Sequence, residues 1–413
     1  MQYAAVTRVR ESTTAKKHRQ ERGALVAGYN APAMFVSSSA MRAAMIVALM
    51  SAPAAHSDTA AQATLEVVWE TDVPDTPAPW LAQCAGSVMV AAPSGKLRAL
   101  EPQRGAQLWE RTLAGPIAGA VVPVGDVLAV PLGDGALVIL DGRTGDIIGE
   151  HHTPPSPRLI ATSRGLLAAG ADSSIAMIPV RGGDLTWSST GPASLTAAGP
   201  CGGVILAGFS NGSLGAIALE DGRLLWTRPL GAAMTTTPTC NHDRAWIGAD
   251  DNKLHALNLK RNGFGKRWAF LTGGDLAGAQ VLFGGRLIFF SYDTYVYSVD
   301  EDNGHLDWKA RLGRRPGNAT VVLDDLLVVA PLNSERLDLF RLPGGHQEAP
   351  FTLDTGRERF VTRPVLVTDH IVIAAALYGQ DTSRIIGLRP AAQPPAPAAQ
   401  PPAGPPQPTA PRP

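Results

Sequence analysis

ALEPQRGAQLW, residues Ala99 to Trp109, reads as an apolar strand end, a glycine turn and a second strand closed by tryptophan. The same outline returns as SVDEDNGHLDW from Ser298 to Trp308. Tryptophans mark further copies. Trp69, Trp109, Trp187, Trp226, Trp268 and Trp308 lie 40, 78, 39, 42 and 40 residues apart, so one copy inside the interval of 78 has lost its tryptophan. Gly149 holds that place in ILDGRTGDIIG, and Ala349 holds the next one after Trp308, in LFRLPGGHQEA. A glycine precedes the position by four residues at Gly105, Gly145, Gly183, Gly222, Gly304 and Gly345. A reversal between strands needs φ > 0, which glycine adopts without steric cost. KRNGFGKRW, before Trp268, departs from the pattern and is expected to carry a longer turn.

Two apolar bursts of strand length stand upstream of each glycine, among them SVMVAA with KLRAL and RLIFFS with YVYSV. With the segment before them (AGAVVPV, AGAQVLF, ATVVL) they make four strands per unit, labelled A to D. Four antiparallel strands per repeat of roughly 40 residues, with no helical period, predict blades of a β-propeller. Turns between B and C fall at Ser94, Gly133, Asp172, Asn211, Asp251, Asp293, Asn333 and Gly379, which makes eight. The last unit, HIVIAAALYGQDTSRIIGL, stops after strand C, and LEVVWETDV around Trp69 supplies the missing D. The expectation is an all-β fold: an eight-bladed β-propeller of four-stranded antiparallel blades over residues 64–390, its ring closed by an N-terminal strand. Each tryptophan is then a wedge between blades. An indole of about 200 Å² at about 25 cal/mol per Å² contributes roughly 5 kcal/mol.

The flanks differ in composition. Residues 1–40 read as a disordered leader or a mis-assigned start. Residues 41–55, a basic residue, the apolar run AAMIVALM and small residues, read as a signal peptide cut near Ala54 or Ala55. The run is too short to span a bilayer, so no transmembrane span is expected. Residues 391–413 form a proline-rich tail. Removing residues 1–55 leaves 29 Lys/Arg against 34 Asp/Glu, a mildly acidic balance that argues against nucleic acid as partner. The first cysteine, Cys84, lies too far from the signal for lipid attachment, so the expected location is soluble in the periplasm or secreted.

Several motifs carry possible chemistry. GFSNG, Gly208 to Gly212, matches a nucleophile elbow, which requires a strand-to-helix turn; here it aligns with B/C turns, so Ser210 is read as a turn residue. DEDNG, Asp300 to Gly304, resembles a calcium loop, but its glycine is one position early and no glutamate closes it. His151 and His152 are adjacent in an extended segment and point to opposite faces. No metal site is expected. Cys84, Cys201 and Cys240 share one repeat position at the end of strand A. A Cys201–Cys240 disulfide is conceivable there, but bridging needs an approach within about 7 Å, and buried free thiols are the expectation. One constellation points to protein recognition. RLGRRPGN and DTGRERFVTR bring Arg311, Arg314, Arg315, Arg357, Arg359 and Arg363 to one sector of the D/A and B/C face, with Tyr292 and Tyr295 from SYDTYVY beside them. Arginine and tyrosine are over-used at protein interfaces.

The repeat resembles the pyrroloquinoline-quinone (PQQ) repeat, whose outline is Ala, any residue, Asp, three residues, Gly, three residues, Trp. Ala99, Glu101, Gly105 and Trp109 fit it, as do Asp141 with Gly145, Gly222 with Trp226, and Asp300 and Gly304 with Trp308. Two families carry it in eight blades. Quinoprotein alcohol dehydrogenases hold PQQ and calcium near the axis, many with a disulfide between adjacent cysteines; here the three cysteines are scattered. The chain more closely resembles the family of the outer-membrane protein assembly factor BamB. That resemblance implies a non-enzymatic, monomeric scaffold without cofactor, whose partner is a cell-envelope protein such as an outer-membrane β-barrel assembly component. The chain departs from that family in lacking the lipid-anchor cysteine and in adding the proline-rich tail. The alternative is a PQQ-dependent oxidoreductase, or a sensor with a small ligand in the axial funnel.

Overall fold

The computed structural model describes residues 65–391 apart from 75–78, 154–157, 182, 184–185, 332 and 354–355. The expected leader (1–40), the expected signal peptide (41–55) and, apart from Ala391, the expected proline-rich tail lie outside the described residues. Every regular element is a strand, and the strands form eight antiparallel sheets. Among the described residues no helix is long and apolar enough to cross a membrane.

Blade 1 shows the plan. Strands A (Trp80–Cys84), B (Ser87–Ala91), C (Lys96–Leu100) and D (Gln107–Thr112) pair in that order. Strand B is buried at every position, whereas D alternates between exposed and half-buried residues. The inner strands are covered on both faces by neighbouring blades, which is why they read as unbroken apolar bursts. The hydrophobic core is accordingly divided: each of eight clusters fills one gap between blades. One joins Met89 and Leu97 of blade 1 to Leu128 and Val130 of blade 2. Another joins Val372 and Ile385 of blade 8 to Val88 and Val90 of blade 1. Strand A of each blade touches strand A of the next, and Val365–Val367 of blade 8 touches Trp80–Cys84 of blade 1. The ring is closed.

Closure depends on the first strand. Leu65–Pro74 runs antiparallel to Thr382–Pro390, from Leu65 opposite Pro390 to Pro74 opposite Thr382. Ion pairs reinforce the ladder: Arg384 lies 3.1 Å from Asp72 and 3.1 Å from Glu358, and Arg389 lies 2.6 Å from Glu66.

Trp69, Trp109, Trp187, Trp268 and Trp308 each reach into the C/D turn of the following blade. Trp69 Nε1 donates to the Pro102 carbonyl at 2.7 Å, Trp109 to Gly142 at 3.3 Å and Trp187 to Leu219 at 3.3 Å. The repeat glycine is the surface on which that ring lies. A Cβ added at Gly105 would stand 2.3 Å from Trp69, and one at Gly222 would stand 2.2 Å from Trp187. Gly183 faces open space, consistent with Gly149 holding the tryptophan position in the preceding blade. The aspartate of the repeat folds the same turn: Asp141 Oδ1 accepts from the backbone N–H groups of Arg143 (2.8 Å) and Thr144 (3.2 Å).

Two local expectations are corrected, the turn before Trp268 and the state of Cys201 and Cys240, and two strands are interrupted by proline. The turn before Trp268 is short: strands Lys253–Lys260 and Gly263–Leu271 are lengthened, with Lys260 paired to Gly263. The extension carries Phe264 onto Trp226, ring centroids 6.1 Å apart. In blade 7, strand D is split into His346–Gln347 and Phe351–Thr352 around Ala349-Pro350, because proline brings no N–H to the ladder. Pro364 divides strand A of blade 8 in the same way, into Glu358–Phe360 and Val365–Val367. Finally, Cys201 and Cys240 form a disulfide with Cα atoms 5.6 Å apart. Strands A of neighbouring blades converge at the axis closely enough to bridge.

Cys84, at the equivalent position in blade 1, is a buried free thiol. Burial, with Asp126 and Asp141 adding repulsion, pushes it from 9.0 up to about 11. The folded protein therefore holds the proton to higher pH than the unfolded chain. The stabilisation is complete below about pH 9 and is lost as pH rises towards 11. At pH 8, a thiol-reactive disulfide reagent is expected to leave Cys84 unlabelled until the chain is unfolded in denaturant; labelling of the native protein would contradict this environment.

Candidate binding face and axial funnel

Strand direction alternates within a blade, so the D/A and B/C connections emerge on one face. The arginine-rich connections before blades 7 and 8 lie there, and their side chains divide into three settings. Arg314, Arg315 and Arg357 are exposed. Arg314 reaches over the B/C turn of blade 7, 3.8 Å from Glu335 and 3.4 Å from the Asn333 carbonyl. Arg359 lies over the ring of Tyr378, in the B/C turn of blade 8, at 5.1 Å. Arg311 and Tyr295 face each other on neighbouring strands of blade 6. Tyr295 packs there beside Tyr297 and beneath Lys309, so these two belong to the blade rather than to the loop cluster.

Arg363 and Tyr292 converge elsewhere, at the axis. A cavity of about 590 Å³ is lined by both, together with Arg158, Thr236 and Asp275. Its walls come from blades 3 to 6 and blade 8, which places it on the ring axis. A second cavity, of about 530 Å³, is lined by Trp80, Leu81, Val121 and Val361 from blades 8, 1 and 2, and again by Arg363. The break in strand A of blade 8 positions this arginine. Thr362 Oγ1 accepts the Ala374 N–H at 2.9 Å, replacing a backbone ladder bond just before Arg363. The floor of the first cavity is polar: Thr236 Oγ1 accepts from the Gly248 N–H (2.8 Å) and from the Gln280 amide (3.0 Å).

Arg158, Trp80 and Tyr378 were not foreseen from the sequence. Arg158 and Trp80 each stand first in an innermost strand, and that register could have flagged them once blades were counted.

The remaining motifs are structural. Ser210 stands in the B/C turn between strands Val204–Phe209 and Ser213–Ala218, where Asn211 Oδ1 accepts from the Ser213 N–H at 3.0 Å. Asp300 Oδ1 accepts from the N–H groups of Asp302 (3.0 Å) and Asn303 (3.1 Å), folding a C/D turn like that of Asp141. His151 and His152 are consecutive residues of strand D in blade 2. A quinone held with calcium does not fit the residues present. Among the described residues no group of three or more His, Cys, Asp or Glu could hold a metal ion, and Asp275 is the one acidic side chain lining either axial cavity.

A family model described as outer membrane protein assembly factor BamB matches residues 62–167 and 171–392. No curated protein matches the chain significantly. Among solved structures, BamB from Moraxella catarrhalis is similar at 16% identity, covering 78% of this chain and 97% of its own, with a TM-score of 0.61. The computationally designed Ika8 protein is 13% identical, with coverages of 78% and 99% and a TM-score of 0.64. Sqt1 of Saccharomyces cerevisiae is 10% identical, with coverages of 78% and 99% and a TM-score of 0.60. At these identities the structural likenesses show the fold alone.

Proposed function

Since the chain belongs to the family of the outer membrane protein assembly factor BamB, we propose that it is a non-enzymatic scaffold of the cell envelope, exported to the periplasm and working in outer-membrane protein assembly. The observation that carries this reading is the group of Arg314, Arg315 and Arg357 on the connections before blades 7 and 8, with Arg359 at the start of blade 8, set on a rigid ring. Within that sector, among the described residues, the one ion pair is a long one, 3.8 Å from Glu335 to Arg314. Guanidinium groups largely uncompensated among the described residues, on a preformed surface, suit an acidic protein face, where they speed encounter and set orientation. The Cys201–Cys240 disulfide supports export, because such bonds persist in oxidising compartments.

Replacing Arg314 and Arg357 with glutamate reverses the sector's charge at two exposed positions. Tagged wild-type protein is expected to capture β-barrel assembly components from envelope extracts. The double variant should capture at least tenfold less, with an unchanged melting temperature, because neither side chain contributes to a core. Equal capture by both proteins would overturn the assignment of this sector. Addition of PQQ with calcium is expected to leave the melting temperature unchanged; dye-linked alcohol oxidation after such addition would overturn the non-enzymatic reading.

A further inference from the structure

The two axial cavities are separate from the arginine sector, and the assembly reading uses neither. We propose that they form one binding site for an amphiphilic monocarboxylate, a small organic acid with an apolar body, seated at the mouth of the ring with its carboxylate on Arg363. The proposal stands independently of the assembly role.

Three observations carry it. The first is that Arg363 lines both cavities. Its guanidinium is exposed and makes no hydrogen bond or ion pair among the described residues, so its donors are available. Thr362 and Pro364 on either side fix the backbone that presents it. The second is the chemistry of the walls. On one side, Trp80, Leu81, Val121 and Val361 form an apolar shelf. On the other, Thr236, Tyr292 and Arg158 form a polar one. A ligand spanning the mouth must therefore be apolar at one end and oxyanionic at the other. The third is the charge count. Two arginines and one aspartate, Asp275, leave a single net positive charge, which one carboxylate neutralises. A polycarboxylate would bring further charge against Asp275 or the apolar shelf, at a desolvation cost that nothing there offsets. Volumes of about 590 and 530 Å³ lie within the range of small-molecule sites, a few hundred to about 1,000 Å³. Cavities of that size suit a small molecule rather than an extended peptide.

Calorimetric titration of the full chain with 1-naphthylacetate tests this, with the neutral 1-naphthylacetamide and the polyanion citrate as comparisons. The expected result is saturable binding of 1-naphthylacetate, with both comparison compounds at least tenfold weaker. Arg363→Gln should weaken 1-naphthylacetate binding at least tenfold. Ala120→Trp, placed at an exposed position bordering the apolar cavity, should abolish it. Both variants should keep the parental melting curve, and if one fails to fold the other still decides. Failure of 1-naphthylacetate to bind would overturn the proposal, as would equal binding of the amide or undiminished binding by Arg363→Gln. So would binding confined to an acidic nonapeptide in place of 1-naphthylacetate.

Discussion

Gly105→Val is expected to destabilise the protein by about 3 kcal/mol or more, lowering the melting temperature by roughly 5 °C, although residue 105 stands in a turn. Two costs add. The backbone φ of +67° places the residue in the left-handed region, where an L side chain costs about 1–2 kcal/mol. The new Cβ would also lie 2.3 Å from a carbon of the Trp69 indole, and overpacking of this kind costs about 1–3 kcal/mol. Trp69 cannot swing away cheaply, because its Nε1 donates to the Pro102 carbonyl and its ring is buried between blades 8 and 1. Trp69→Ala alone should cost about 3–5 kcal/mol through the cavity it leaves. The double variant separates the two costs. With the indole gone, the valine enters vacated space, so the combined loss should fall short of the sum by more than about 1 kcal/mol. Denaturant melts of the four proteins measure this coupling. Strict additivity would mean that the glycine is required for φ alone and that the contact across the blade gap carries no energy.

That contact marks where the sequence was legible and where it was not. The spacing of the tryptophans and glycines was enough to count the blades and to place Leu65–Pro74 in the last one, because each unit repeats the same turn. The reason tryptophan and glycine travel together was hidden, since the two that touch are not those four residues apart but those of consecutive repeats, Trp69 with Gly105 and Trp187 with Gly222. Pro350 and Pro364 were visible as residues without an N–H, and they split strands where that property predicts. The Cys201–Cys240 bridge was not legible. It depends on how closely strands A approach at the axis, a property of the closed ring rather than of any one repeat. The lining of the funnel escaped for a related reason: Arg158 and Trp80 are unremarkable singly and line cavities with Arg363 only when blades 1, 3 and 8 face one another across the axis. The arginine sector was read as one cluster. Its outer members do share the face, while Arg363 and Tyr292 turn inward and Arg311 and Tyr295 stay within their blade.

The ring is completed by its own first strand. Deletion of residues 64–74 removes the buried side chains of Leu65, Trp69 and Val73, a loss on the order of 5–10 kcal/mol at about 1.5–3 kcal/mol for each side chain and more for the indole. It also strips Arg384 of Asp72 and Arg389 of Glu66, and it leaves Thr382–Pro390 as an open edge that a second copy can pair with. The most direct measurement is sedimentation velocity combined with calorimetry, on the intact and the deleted protein at matched concentration. Closure by this strand predicts an intact monomer with one cooperative transition, and a deleted form that self-associates and melts at least about 10 °C lower. A deleted protein that remains monomeric and melts with the intact one would contradict it.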